Sequence, residues 1–370
     1  MRNHRYLILA EGHFGPESSK TATSAVRYLP ERVAAVIDSR FAGKTAADVL
    51  GFGGAIPMVS TLAEGLSHLP SALLVGIAPQ GGRLPEPWRE VLRGAARAGL
   101  DLVSGLHTYL SDDPEFVRLA TREGVRLWDL REPPGDLPVS TGLAREVDSF
   151  TVLTVGTDCN VGKMTAALEM RAALQERGVK TAFAASGQTG ILIEGRGIAV
   201  DAVKADFIAG AAERLVLEAA AEGPEVILVE GQGSLVHPGY SGVTLGLLHG
   251  SLPDAMILCH LPTRQHVYGG DGAYSWMPLP PLAQMVEVCE RAAEPLKPSR
   301  VIGVALNSWD LREDEALRAV ERAEEETGLP ATDPVRFGAG PLAEAVIQAR
   351  SAGLGKGKLA AYAPLADSGA

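Results

Sequence analysis

The chain has 370 residues, too many for one ordinary core and enough for two domains. Apolar residues make up 46% and charged residues 21%, as in a globular protein, and a net charge of -11 argues against a nucleic-acid partner. Cys159, Cys259 and Cys289 show no paired C-x-x-C spacing, which leaves no disulfide framework or structural zinc site and favours a reducing compartment, the cytoplasm.

The first apolar run, residues 6–10, is too short for a signal-peptide core or a membrane span, so no membrane partner is expected. It reads as a buried strand. Further strands are predicted at 33–37, 73–77, 100–104 and 125–127, with helices at 46–50, 62–66, 88–98 and 115–122. Strands separated by helices predict a parallel sheet covered on its faces, here a Rossmann-like domain over residues 1–140. The charged, proline-rich stretch Arg131-Glu132-Pro133-Pro134-Gly135-Asp136 continues neither element and marks the boundary.

The alternation resumes with strands at 150–155, 180–185, 226–229, 255–259 and 300–306. Helices are predicted at 163–177, 205–221, 282–293, 313–326 and 341–352. The fold class is therefore α/β: the Rossmann-like domain, then a P-loop NTPase-like, doubly wound parallel-sheet domain over 148–353. Ligands of such sheets sit beyond the carboxyl ends of the strands. Residues 354–370 lack periodicity and are expected to fray.

Between the 150–155 strand and the 163–177 helix stands Gly156-Thr157-Asp158-Cys159-Asn160-Val161-Gly162-Lys163, in the context that makes a P-loop. Backbone N–H groups and the helix dipole would hold a phosphate, and Lys163 would add a point charge. An ordinary strand-turn-helix junction is the plain alternative. Five residues separate the two glycines, where the common form has about four. That spacing resembles the loop of dethiobiotin synthetase. Met164 stands where a Ser or Thr normally gives its hydroxyl to magnesium, and Thr165 is rotated by about 100° from that place. Phosphate binding survives this change, whereas magnesium-assisted phosphoryl transfer is put in doubt. No metal is expected; were magnesium used, Thr165 and Glu230 would be its ligands.

Other strand ends add polar groups. Glu230, with Gly231, Gln232 and Gly233 after it, resembles a Walker B element, although a Glu here can also cap a helix. Ser186, Gln188 and Thr189 are either substrate contacts or parts of a tight turn. Arg264 suits a two-bond clamp on a substrate carboxylate, and Arg336 is a second candidate. His260, His237 and His266 are candidate general bases, each also readable as structural. Asn307 and the loop around Asp333 suggest an adenine-type pocket. In the first domain Asp38 ends a strand as a ribose-binding acid would, but G-x-G-x-x-G is absent, and a scaffold without its own cofactor is as good a reading. The segment Gly76 to Arg83 could line a crevice there.

Over nearly its full length the sequence resembles a two-domain P-loop family, formerly of unknown function, that includes the D-glutamate N-acetyltransferases (DgcN). The matching pieces are Gly51-Phe52-Gly53-Gly54 with Ile56-Pro57, Gly156-Thr157-Asp158-Cys159 through Gly162-Lys163-Met164-Thr165, Ser186-Gly187-Gln188-Thr189-Gly190, Glu230-Gly231-Gln232-Gly233-Ser234 and Asp333-Pro334-Val335-Arg336. Met164 belongs to that family's loop. The resemblance implies acetyl transfer from acetyl-CoA to the amine of an acidic amino acid, D-glutamate above all. The candidate catalytic residues are then Glu230, His260 and Lys163. Residues 156–165, Asn307 and Asp333 would hold acetyl-CoA, and Ser186, Gln188, Thr189, Gln232, Arg264 and Arg336 the acceptor. An ATP- and magnesium-dependent ligase or kinase of the dethiobiotin synthetase type is the first alternative, and a non-catalytic nucleotide sensor the second. A homo-oligomer is expected.

Overall fold

Phe150–Gly156 is a run of seven buried residues, and a strand this apolar on both faces belongs in the middle of a helix-covered parallel sheet. In a computed structural model, which describes residues 4–16, 18–77, 82, 84–269 and 272–355, it holds that position. The chain divides into two compact units, each described here by itself: one runs to Asp136 and includes Ala185–Ala202, and the other comprises Leu137–Ala184 and the chain from Val203 onward. Each contains a six-stranded sheet in which every pairing is parallel.

The first sheet has strands β1 (Tyr6–Leu9), β2 (Val33–Ile37), β3 (Met58–Val59), β4 (Ala72–Val75), β5 (Asp101–Ser104) and β6 (Leu127–Asp129), in the spatial order β3-β2-β1-β4-β5-β6. Helices α1 (Lys20–Tyr28), α2 (Ala46–Leu50), α3 (Leu62–Leu66), α4 (Glu86–Arg97) and α5 (Pro114–Glu123) connect them. This is the Rossmann-like order expected, with the switch point between β1 and β4. Its core joins Leu7, Leu9, Leu73 and Leu102 of the strands to Trp88, Leu92 and Phe116 of the helices. At the switch point the first turn of α1 is bonded to the chain itself, since Ala22 N–H donates to the Gly76 carbonyl. Asp38 does not behave as a ribose-binding acid. Its buried carboxylate accepts from the Phe14 N–H (2.9 Å) and from the Arg40 guanidinium and backbone N–H, so its acceptor sites are taken. Of the crevice segment considered above, residues 78–81 and 83 lie outside the described residues, as do Asp271 and the tail from residue 356.

Residues 185–202, expected within the second domain, pack with this first unit. They carry α7 (Gln188–Glu194). Thr189 lies with its hydroxyl 3.4 Å from that of Thr21 in α1, and Gln188 accepts from Arg131 Nη1 at 3.2 Å. Arg131, almost wholly buried, also pairs with Asp201 at 2.7 Å. Three residues of one excursion are thus fastened to one unit.

The second sheet has strands β7 (Phe150–Gly156), β8 (Thr181–Ala184), β9 (Val226–Val229), β10 (Ala255–His260), β11 (Arg300–Leu306) and β12 (Ala331–Thr332), in the order β12-β11-β10-β7-β9-β8. Its helices are α6 (Lys163–Glu176), α8 (Ile208–Ala220), α9 (Ser241–Ser251), α10 (Leu282–Ala293), α11 (Glu313–Thr327) and α12 (Gly340–Ser351). The unit begins with a turn wrapped on a single carboxylate. Glu213 of α8 is buried and accepts from Ser140 Oγ, Thr141 N–H and Oγ1, Gly142 N–H and Leu143 N–H. Chain order reverses about β7, which lies between β9 and β10, so the ends of these three strands face one crevice. Among the described residues no helix is long and apolar enough to cross a membrane.

Candidate functional site

The loop from β7 to α6 turns on Gly162, whose φ of +99° is the left-handed conformation that glycine adopts without strain. Asn160 also has positive φ, +55°, which Asn tolerates better than most residues. No side chain caps α6, so its first N–H groups point into the loop, the arrangement that binds anions. Lys163 opens the helix almost fully buried, and its Nζ donates to the Asp158 carbonyl at 2.7 Å across the loop. Its stem passes Gly231 of the neighbouring strand end: a Cβ there would lie 3.1 Å from Lys163 Cδ and collide with the Thr154 carbonyl. The close approach of β9 to β7 is therefore what requires glycine after Glu230.

The flanking strand ends close on this loop. From β9, Glu230 is buried and accepts from Gln232 Nε2 at 3.3 Å, while Ser234 Oγ donates to the Thr157 carbonyl at 3.0 Å. From β10, His260 Nδ1 lies 3.0 Å from Thr157 Oγ1. Burial, and after it the Arg264 charge, push the His260 pKa down to about 4, so the ring is neutral at physiological pH. Asp158, buried inside the loop, accepts from Cys159 N–H (2.7 Å), Tyr268 N–H (2.7 Å) and Arg264 Nη1 (3.2 Å). Arg264 Nη1 also donates to the Cys159 carbonyl.

On the side of β11, a cavity is lined by Val161, Gly162, Thr165, Ala166, Asn307, Asp333 and Val335 among others. The Asn307 side-chain amide stands against Gly162 and has no hydrogen-bond partner among the described residues, while its backbone N–H donates to the His260 carbonyl. This is the place and the chemistry for a base edge beside a phosphate loop. Thr165 lines this cavity.

Several expected roles change. The Asp333 carboxylate accepts from Ser308 N–H and Oγ and from the N–H groups of Val335 and Arg336, so it shapes the pocket wall and has no acceptor capacity to spare for a ligand. Arg336 Nη1 donates to the carbonyls of Ser308 and Leu311, which makes it a brace for the same loop. His237 accepts from Gly239 N–H at Nδ1 and donates from Nε2 to the Tyr268 carbonyl, so neither nitrogen is left for proton transfer. His266 pairs with Pro278 in an isolated antiparallel bridge. Ser186, Gln188 and Thr189 belong to the first unit. Asp158, Cys159 and His237 are the described residues clustered closely enough to share a cation, and Glu230 is not among them. The Asp158 carboxylate and both His237 nitrogens already serve the hydrogen bonds just given.

Sequence reading missed Tyr268, which joins Asp158 to His237 through its backbone and sets its ring 5.0 Å from the Arg264 guanidinium carbon. The only signal for it was position, since it follows β10. Val335 lines the cavity as part of the loop around Asp333 that was expected there, although sequence alone gives it no role singly.

Comparisons with known proteins agree with this architecture. Residues 138–343 match the family model described as the DUF1611_C P-loop domain, a domain of unknown function, and residues 39–133 match the DUF1611_N Rossmann-like domain. A D-glutamate N-acetyltransferase of Tritonibacter scottomollicae is 42% identical over 77% of this chain and 84% of its own length. One from a Pseudoalteromonas species is 38% identical over 72% of this chain and 78% of its own. The crystal structure of a DUF1611 family protein from Anabaena variabilis superposes with a TM-score of 0.87 at 39% identity, covering 94% of this chain and all of that one. At these identities the curated relatives support an enzyme, an N-acetyltransferase. The chain belongs to the DUF1611 family, with its Rossmann-like N-terminal and P-loop C-terminal domains.

Proposed function

We propose that the protein transfers an acetyl group from acetyl-CoA to the amine of an acidic amino acid, D-glutamate first among them. The observation that carries this reading is a phosphate loop that opens onto a base pocket but lacks the hydroxyl of a magnesium site. Met164 is buried, and Thr165 lines the pocket with Asn307. Coenzyme A brings an adenine and phosphates to such a site, and acyl transfer uses no phosphoryl chemistry. The activity named for the two relatives above points the same way.

In this reading the loop N–H groups and Lys163 hold phosphate oxygens, and the Asn307 amide meets the adenine edge. Arg264 takes a carboxylate of the acceptor. Acyl transfer needs the amine neutral, so its proton must leave. Glu230, the buried acid at the end of β9 beside the loop, takes that role. His260 instead orients the Thr157 hydroxyl at the loop entrance.

The test is the thermal stability of the purified chain with each ligand, since binding to the folded state raises Tm. Acetyl-CoA and CoA are expected to raise it, and Mg-ATP at equal concentration is not. A shift with Mg-ATP alone would favour the ligase reading.

A further inference from the structure

Asp158 is a fully buried carboxylate in a loop that has to bind an anion, which is electrostatically unfavourable unless a cation compensates it. Arg264 is that cation. Its contacts are one-sided: Nη1 bonds to the Asp158 carboxylate (3.2 Å) and the Cys159 carbonyl (2.5 Å), and the flat face lies over the Tyr268 ring. Nε and Nη2 have no partner among the described residues, and 16% of the side chain is exposed. Those two atoms form one edge of the guanidinium, with two parallel N–H bonds of the spacing that fits a carboxylate. Lys163 is bonded to the main-chain carbonyl of Asp158.

We propose that Asp158 is a positioning residue: by holding Nη1 it presents the Nε–Nη2 edge of Arg264 to a carboxylate of the acceptor, and so sets the preference for acidic amino acids. The inference rests on the N-acetyltransferase reading with Arg264 at the acceptor. A free arginine loses rotamer freedom when it is fixed, and here the loop has already fixed it. The same carboxylate accepts the Cys159 N–H, so the phosphate loop and the acceptor clamp share one anchor.

Steady-state kinetics of the full chain with acetyl-CoA tests this, using D-glutamate and D-norvaline, which lacks the second carboxylate. Asp158→Asn is expected to raise the D-glutamate KM at least tenfold with kcat within threefold, and to raise the acetyl-CoA KM less, because Asn Oδ1 still accepts the Cys159 N–H. The D-glutamate over D-norvaline preference falls towards that of Arg264→Lys, and the double variant is no worse than the worse single one, as expected for residues acting through each other. An unchanged D-glutamate KM overturns the positioning role. So does an equal loss in acetyl-CoA affinity, which would mark a loop-folding or phosphate-binding role, and so do additive effects in the double variant. Asp158→Glu, which keeps the compensating charge but displaces Arg264, is the second variant if Asp158→Asn does not fold, with the same KM-only effect expected. Activity of the unaltered protein on D-glutamate is read separately. Its absence overturns the functional reading and the inference together, whereas activity with an unaltered KM in both variants overturns the inference alone.

Discussion

Lys163 Nζ bonds the main-chain carbonyl of Asp158 at 2.7 Å, so the cation of the loop is held over the loop itself at the start of α6. Its substitution by Ala is expected to weaken acetyl-CoA at least tenfold, about 1.4 kcal/mol, with the fold intact. Isothermal titration of a variant with a native melting curve checks this. An unchanged affinity would remove the P-loop from the ligand site.

The three thiols differ sharply in reach. Cys259 and Cys289 are buried, and burial pushes both thiols up to about 12, whereas Cys159 in the loop is partly exposed. Iodoacetamide should therefore modify one cysteine of the native protein, Cys159, and all three after unfolding. Saturating acetyl-CoA should slow the native reaction at least tenfold. Peptide mass spectrometry reads both, and modification of Cys159 at the same rate with and without acetyl-CoA contradicts the placement of the ligand.

His260 gives a pH signature. Its pKa falls from 6.5 in the unfolded chain to about 4 in the fold, through burial first and the Arg264 charge second. Between these values the unfolded state binds the extra proton, so stability is complete above pH 6.5 and declines as pH falls to about 4. The contribution is at most about 1.4 kcal/mol per pH unit. Denaturant melts of the unaltered protein and His260→Asn across that window should show the shallower decline in the variant. Parallel curves would mean that the imidazole titrates normally.

Long apolar runs made the middle of both sheets legible. β3 and β12, two residues each, carry no periodicity and exist because β2 and β11 supply their pairing. Thr21, Thr23 and Ser24 hide α1 behind residues of poor helix propensity, and three glycines do the same for α9. Alternation alone does not say which sheet a helix covers, which is why residues 185–202 were expected in the second domain. Residue type and strand-end position were enough to name Lys163, Glu230, His260, Arg264 and Asn307, which the fold brings to the ends of β7, β9, β10 and β11. They could not show that Asp333 and Arg336 brace a loop, because that depends on backbone groups of Ser308 and Leu311 some 25 residues away in sequence.

The most direct test of the proposed chemistry is release of the CoA thiol from acetyl-CoA and D-glutamate in the presence of EDTA. Acyl transfer needs a base and donors for the developing oxyanion, so turnover should continue at an unreduced rate without divalent metal, with one N-acetylated amino acid formed per thiol. A magnesium-bridged phosphoryl transfer would stop under chelation. Strict magnesium dependence with ADP as product, and no thiol released from acetyl-CoA, would contradict the account and favour an ATP-dependent ligase.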